Sequence, residues 1–157
     1  MTAGNSTGPA LLCWDNSDGA ERAIEHAGRI LGDGHQAIVL FAHVPTESAR
    51  GILGGLSGPD APIMGVTDAE NVLARGLAFA REAGFDAAGT LIAAERRTAE
   101  IITSMADEHD AIVIVMGQRQ RSTIGKLLLG STAQEVLNSD HRPVLMVSPG
   151  TPGAYPG

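Results

Sequence analysis

Five short apolar runs punctuate the chain: PALLCW (9–14), AIVLFAHV (37–44), DAAGTLIAA (86–94), AIVIVMG (111–117) and PVLMVS (143–148). The second, fourth and fifth are almost unbroken Val, Ile, Leu and Met, the signature of parallel strands buried on both faces. The third is the weakest, with Gly89 inside it. Between the runs the apolar spacing becomes helical. Residues 18–31 place Ala20, Ala23, Ile24, Ala27 and Leu31 on one stripe, and Gly32 is a stop signal. Thr67 and Glu70 form a capping box for a helix at 68–83 that ends at Gly84. Thr98 caps a third helix carrying Ile101, Ile102, Met105 and Ala106. Ser131 and Gln134 form a second capping box, opening a helix with Ala133, Val136 and Leu137 before Pro143.

Strand alternating with helix predicts an α/β fold, an open five-stranded parallel sheet with right-handed crossovers and helices on both faces. The predicted organisation is a flexible N-terminus at 1–8, one domain over 9–148 and a flexible tail at 149–157. Residues 45–66 stand apart as a Gly/Pro-rich connection too long for an ordinary turn, a length that usually marks function or disorder.

Composition narrows the function classes. The chain is 43% hydrophobic and 18% charged, with only five aromatic residues, and small and branched aliphatics suit a sheet between helices. A formal charge of −7 argues against a nucleic-acid partner, which needs a positive footprint. Arg119, Arg121, Lys126 and Arg142 nevertheless fall in the last quarter, which points to a local anion site. The single Cys13 cannot form an internal disulfide, and the first ten residues lack the basic segment and apolar run of a signal peptide. No apolar stretch approaches the ~18 residues of a membrane span. The expectation is a cytoplasmic protein with no membrane partner.

In an open parallel sheet, ligands bind at the carboxyl ends of the strands where strand order reverses. With the first strand central, that switch lies between Asp15-Asn16-Ser17-Asp18-Gly19 and Gly117. The loop GQRQRSTIGKLLLGST (117–132) then leads to a helix start at Gly130-Ser131-Thr132, whose free N–H groups and dipole favour an anion. The loop is not a Walker A motif, because Gln120 and Leu127 stand where Gly and Ser/Thr are required around Gly125-Lys126. The first strand is not followed by G-x-G-x-x-G, which disfavours a Rossmann dinucleotide site.

From Trp14-Asp15-Asn16-Ser17, through Asp110-Ala111-Ile112-Val113-Ile114-Val115-Met116-Gly117 and Gly130-Ser131, to Pro143-Val144-Leu145-Met146-Val147, the chain resembles the universal stress protein family. The likeness covers roughly residues 9–148, and its nucleotide pattern is Gly, two residues, Gly, nine residues, Gly-Ser/Thr. It implies strand order 3-2-1-4-5, a homodimer through the last strand, and ATP with Mg2+ or Mn2+ carried by the nucleotide. Asp15 and the Val44 backbone would meet the adenine end. Carried over with them are Met116, Gly117, Arg119, Gln120, Gly130, Ser131 and Thr132, the glycine loop and Gly-Ser holding ribose and phosphates.

Three departures stand out. Gln120 replaces a glycine and is strained if the position needs φ > 0. Asn16 replaces the usual Gly after the Asp, and Asn tolerates the left-handed region. Arg96-Arg97-Thr98 replaces the family's Gly-x-Pro before the third helix, at the rim of the site. Other residues have plainer readings. Asp15 can order the turn before the first helix, Ser131 can serve as N-cap, Trp14 and Cys13 read as core, and the five histidines lack metal-ligand spacing. With no Ser/His/Asp grouping in a nucleophile-elbow context, enzyme chemistry is thinly supported. The leading reading is an ATP-binding regulatory or stress-response module. A non-binding member acting through protein contacts is the alternative, and a slow ATPase ranks third.

Overall fold

The computed structural model describes residues 8–49, 58–118 and 130–147. The tail at 149–157 and all but Gly8 of the 1–8 segment lie outside those residues. Strands β1 (Ala10–Cys13), β2 (Gln36–Pro45), β3 (Ile63–Met64), β4 (Asp86–Ala93), β5 (Val113–Gly117) and β6 (Val144–Val147) alternate with four helices. These are α1 (Asp18–Leu31), α2 (Val66–Glu82), α3 (Thr98–Glu108) and α4 (Ser131–Ser139).

Every strand pairing is parallel, and the long strands run β4-β2-β1-β5-β6 across the sheet. For the five strands expected from the sequence, that is the order 3-2-1-4-5. The sheet has a sixth strand, β3, which adds two residues alongside Val44 and Pro45 at the end of β2. It falls inside the 45–66 connection, whose residues 50–57 lie outside the described region.

β2 is buried from Ala37 through Val44, as a strand covered on both faces must be. Its alternate residues feed two cores. On one face Val39 and Phe41 join Leu12, Val115, Ile24 of α1 and Ala80 of α2. On the other, Ile38 and Leu40 join Leu11, Ile114, Met116, Ile102 of α3 and Val136 of α4. Each fully buried Leu, Ile or Val contributes about 1.5–3 kcal/mol by transfer from water. β4 pairs only with β2 and is partly exposed along its length, which explains its faint sequence signal. Gly89 in its middle leaves room for Leu73, which a Cβ would meet at 3.3 Å.

The helix stops are where the glycines put them: Gly32 (φ 88°) follows α1 and Gly84 (φ 103°) lies just beyond α2. The starts differ from the sequence expectation at three of the four helices. α2 begins at Val66 behind Gly65, so Thr67 lies inside its first turn and makes no capping box. α4 has Gly130 as N-cap with no side-chain cap bond, and Ser131 is already helical. α3 has Arg97 at its N-cap, and Thr98 is its first residue. A capping box needs only a local sequence match, whereas the entry direction of each helix is set by the sheet it packs on.

Candidate functional site

A cleft of about 280 Å³ opens at the carboxyl ends of β1 and β5, the point where strand order reverses. That volume lies near the lower limit of small-molecule pockets, roughly 300 Å³. The cleft brings together Asp15, Met116, Gly117, Gly130, Ser131 and Thr132, residues drawn from β1, β5 and the start of α4. Leu40 and Ala42, on one face of β2, supply an apolar wall with Phe41 between them in the strand, and Asp60, Ala61 and Pro62 line the cleft from the connection before β3. Val44 is not among the lining residues. Its side chain is buried in the core facing α3 and α4, and its N–H donates to the Pro62 carbonyl at 2.8 Å. Arg119, Gln120, Arg121 and Lys126 lie outside the described residues.

Local chemistry explains how the β1 end is built. Asn16 sits at φ 63°, the left-handed turn that its side chain tolerates and where the family has glycine. This lets Asp15 Oδ1 accept the Ser17 N–H at 3.0 Å and the Ser17 hydroxyl as well. Ser17 Oγ in turn accepts the Ala20 N–H at 3.1 Å and so caps α1. Asp15 therefore orders the turn while lining the cleft, and the cap itself is Ser17.

Two of the helix starts near the cleft are closed by protein oxygens: α1 by Ser17, and α3 by Asp60, which accepts the Thr98 N–H at 2.7 Å. α4 carries no side-chain cap. Its N-cap Gly130 has an ordinary φ of −65°, and a Cβ there would meet nothing within 4 Å among the described residues. The Ser131–Ala133 end of α4 is thus a dipole terminus at the cleft with no side-chain cap bond among the described residues. Among the described residues no group of three or more His, Cys, Asp or Glu could hold a metal ion.

Trp14 is buried, donating Nε1–H to the Val72 carbonyl at 2.8 Å and stacking on Phe79 with ring centroids 6.3 Å apart. The backbone of Gly76 lies against its indole, so that a Cβ there would approach the ring to 2.6 Å. Trp14 also borders the cleft, so the expected core residue is positioned to report on occupancy. His43 is buried on β2 and does not line the cleft.

Cys13, at the end of β1, lines the cleft floor. Burial first, then the Asp15 charge, push its thiol from 9.0 up to about 12. The folded value is raised, so its contribution to stability is present below pH 9.0 and is lost as pH rises through about 12. A thiol held about three units high has roughly a thousandth of the usual thiolate. Native protein at pH 8 should react with an aromatic disulfide reagent about that much more slowly than the urea-unfolded chain. Equal rates would show that the floor is open to solvent.

An open parallel sheet with a helix start at its switch point is the layout of a doubly wound α/β domain. The chain belongs to the universal stress protein family: the model of that family matches residues 8–148. It is 34% identical over 137 residues to a universal stress protein of Thermus aquaticus, covering 87% of this chain and 96% of that one. A universal stress protein of Mycolicibacterium smegmatis is 50% identical over 52 residues, a stretch that makes up 33% of this chain and 39% of that protein. Among solved structures, the universal stress protein of Archaeoglobus fulgidus superposes with a TM-score of 0.68 at 26% identity, covering 88% of this chain and 97% of that one. The Archaeoglobus fulgidus protein in complex with dAMP superposes at 0.65 with 23% identity, over 88% and 96% of the two chains.

The sequence did not foreshadow the Asp60, Ala61 and Pro62 wall or the Asp60–Thr98 contact. These partners are 38 residues apart, and the connection they come from has no periodicity to read. The available signals were the length of the 45–66 connection and the replacement of Gly-x-Pro by Arg96-Arg97-Thr98.

Proposed function

We propose that this protein binds an adenine nucleotide, ATP with Mg2+ or Mn2+, in the cleft between β1 and β5, and acts as a cytoplasmic regulatory module of the stress response. The observation that carries the reading is the start of α4. Ser131 and Thr132 present a helix terminus with no side-chain cap bond among the described residues, in a cleft that Gly117 and the apolar Leu40 and Ala42 of β2 also line. An anionic phosphate at that terminus with a flat base against the apolar wall satisfies both ends of the cleft. Asp15 and Met116 then face the nucleoside, while Gly117, Gly130, Ser131 and Thr132 face the ribose and phosphates. Arg119 and Gln120 complete the phosphate loop in this reading, and Val44 acts behind the wall. The dAMP complex of the Archaeoglobus fulgidus protein supports the adenine class of ligand. Dimerisation belongs to the same proposal: β6 is an apolar sheet-edge strand, and pairing with a second copy would satisfy its outer edge.

Calorimetric titration with ATP and Mg2+, followed in parallel by Trp14 emission, should give saturable binding at one site per chain. Chromatography of the supernatant from denatured protein should show co-purified adenine nucleotide. No heat at millimolar ATP sinks the reading and leaves a family member that works through protein contacts.

A further inference from the structure

One guanidinium ties together three separate segments at the mouth of the cleft. Arg97, the N-cap of α3, donates from Nε to both oxygens of Glu135 on α4, at 2.9 and 3.1 Å, and Nη2 closes the pair. The same Nη2 lies 3.5 Å from Asp60 Oδ2. Asp60 Oδ1 accepts both the Thr98 N–H at 2.7 Å and the Thr98 hydroxyl at 2.8 Å. Asp60 and Thr98 line the cleft directly, and Glu135 stands one turn into the helix whose first residues line it. The hydrogen bond to Glu135 holds the Arg97 guanidinium above its ordinary pKa, so it is charged throughout the working range.

We infer that Asp60, Arg97 and Glu135 form a clasp that holds the segment before β3 as the outer wall of the cleft, with Arg97 the positioning residue that governs how fast the ligand leaves. The geometry supports this in two ways. Ala61 and Pro62 belong to the wall and are anchored on one side by the Val44 N–H to Pro62 carbonyl bond, and on the other by Asp60. Arg97 also lies 3.5 Å from the carboxylate of Asp60, which lines the cleft, and so offsets a negative charge beside an anionic ligand. The three side chains are 25%, 27% and 37% exposed, so the clasp is neither sealed in the core nor fully screened. It can open without unfolding the sheet. This inference rests on the nucleotide reading of the cleft.

The test uses the full chain, with R97Q, R97K and E135Q variants and two readouts. In ligand-free protein, the Thr98 and Val44 amides report the wall directly, because one donates to Asp60 and the other to Pro62. Hydrogen exchange at both should quicken in R97Q and E135Q, while the Ile114 amide in β5 keeps its protection. With ligand, dissociation of ATP followed by Trp14 emission should be about five- to tenfold faster in R97Q, the scale of one partly exposed bidentate ion pair. R97K should recover only part of this, since an ammonium cannot engage both Glu135 oxygens through a planar fork. Unchanged exchange at Thr98 and Val44 overturns the clasp. Faster exchange with unchanged ATP dissociation overturns its role in retention. Wild-type protein that binds no ATP sinks the nucleotide reading and the retention role with it, whereas the exchange contrast still judges the clasp alone. If R97Q exchanges uniformly fast, including Ile114, E135Q decides, since it removes one charge and keeps the arginine.

Discussion

Gly117→Ala should lower the melting temperature by about 5–10 °C and weaken ATP binding by more than tenfold. Its Cβ would lie 2.5 Å from the Ala20 nitrogen and 2.5 Å from the Gly19 carbonyl carbon. Both contacts are backbone, in the first turn of α1, and that turn is pinned by the Ser17 cap. Neither can swing aside as a side chain would. The first turn of α1 and the end of β5 must separate, at an overpacking cost of about 1–3 kcal/mol or more. For a chain of this size each kcal/mol moves the midpoint by roughly 2–4 °C. Binding suffers more than stability, because Asp15 and Gly117 stand on the two sides of this contact and both line the cleft. Gly130→Ala is the matched control for close approach: its Cβ would meet nothing within 4 Å among the described residues, and calorimetry should find only the loss of a few degrees expected when Ala replaces Gly at a helix N-cap. A Gly117→Ala protein that melts with wild type would show that the close approach is not rigid.

The second large effect is at the other end of the sheet. Arg142, just before β6, donates from Nε to the Ala111 carbonyl at 2.9 Å and from Nη1 to Asp107 at 2.6 Å and Asp140 at 3.2 Å. The Asp140 side chain is only 3% exposed and the Arg142 side chain 12%, whereas Asp107 is 68% exposed. The contact with Asp107 is therefore worth little, and the contact with Asp140 dominates. Arg142→Leu leaves a buried carboxylate without its cation, a loss of about 3–5 kcal/mol. It also unties the lead-in to β5 from the lead-in to β6. Urea titration should show the midpoint falling with the slope unchanged. Because the cost comes from the stranded charge, adding Asp140→Asn to Arg142→Leu should recover part of the loss. A double variant as unstable as the sum of the two singles would show that the pair is not coupled.

The architecture was legible in the apolar runs because a strand covered on both faces leaves a nearly unbroken signal, as β2 and β5 do. β4 was fainter because it lies at the edge, and β3 left no signal because two residues in a Gly/Pro-rich connection cannot display a period. The capping boxes at Thr67 and Ser131 were sound local patterns that the tertiary fold overrode by starting α2 before Thr67 and α4 at Ser131 itself. At α4 this displacement shapes the candidate site, since it leaves glycine at the cap.

The sequence by itself determined the alternation of elements, the family, and which turn would need a left-handed residue, with Asn16 at φ 63° as the clearest case. Those properties are local, carried by period, by turn chemistry, or by motif letters a few residues apart. Only the tertiary structure decided that Asp60 caps α3, that Arg97 reaches Glu135, and that Arg142 reaches the Ala111 carbonyl. The first two contacts join residues 38 apart and the third joins residues 31 apart. Ion pairs and helix caps made across such distances depend on where rigid elements come to rest, and that is set by the packing of the sheet and its two helical layers.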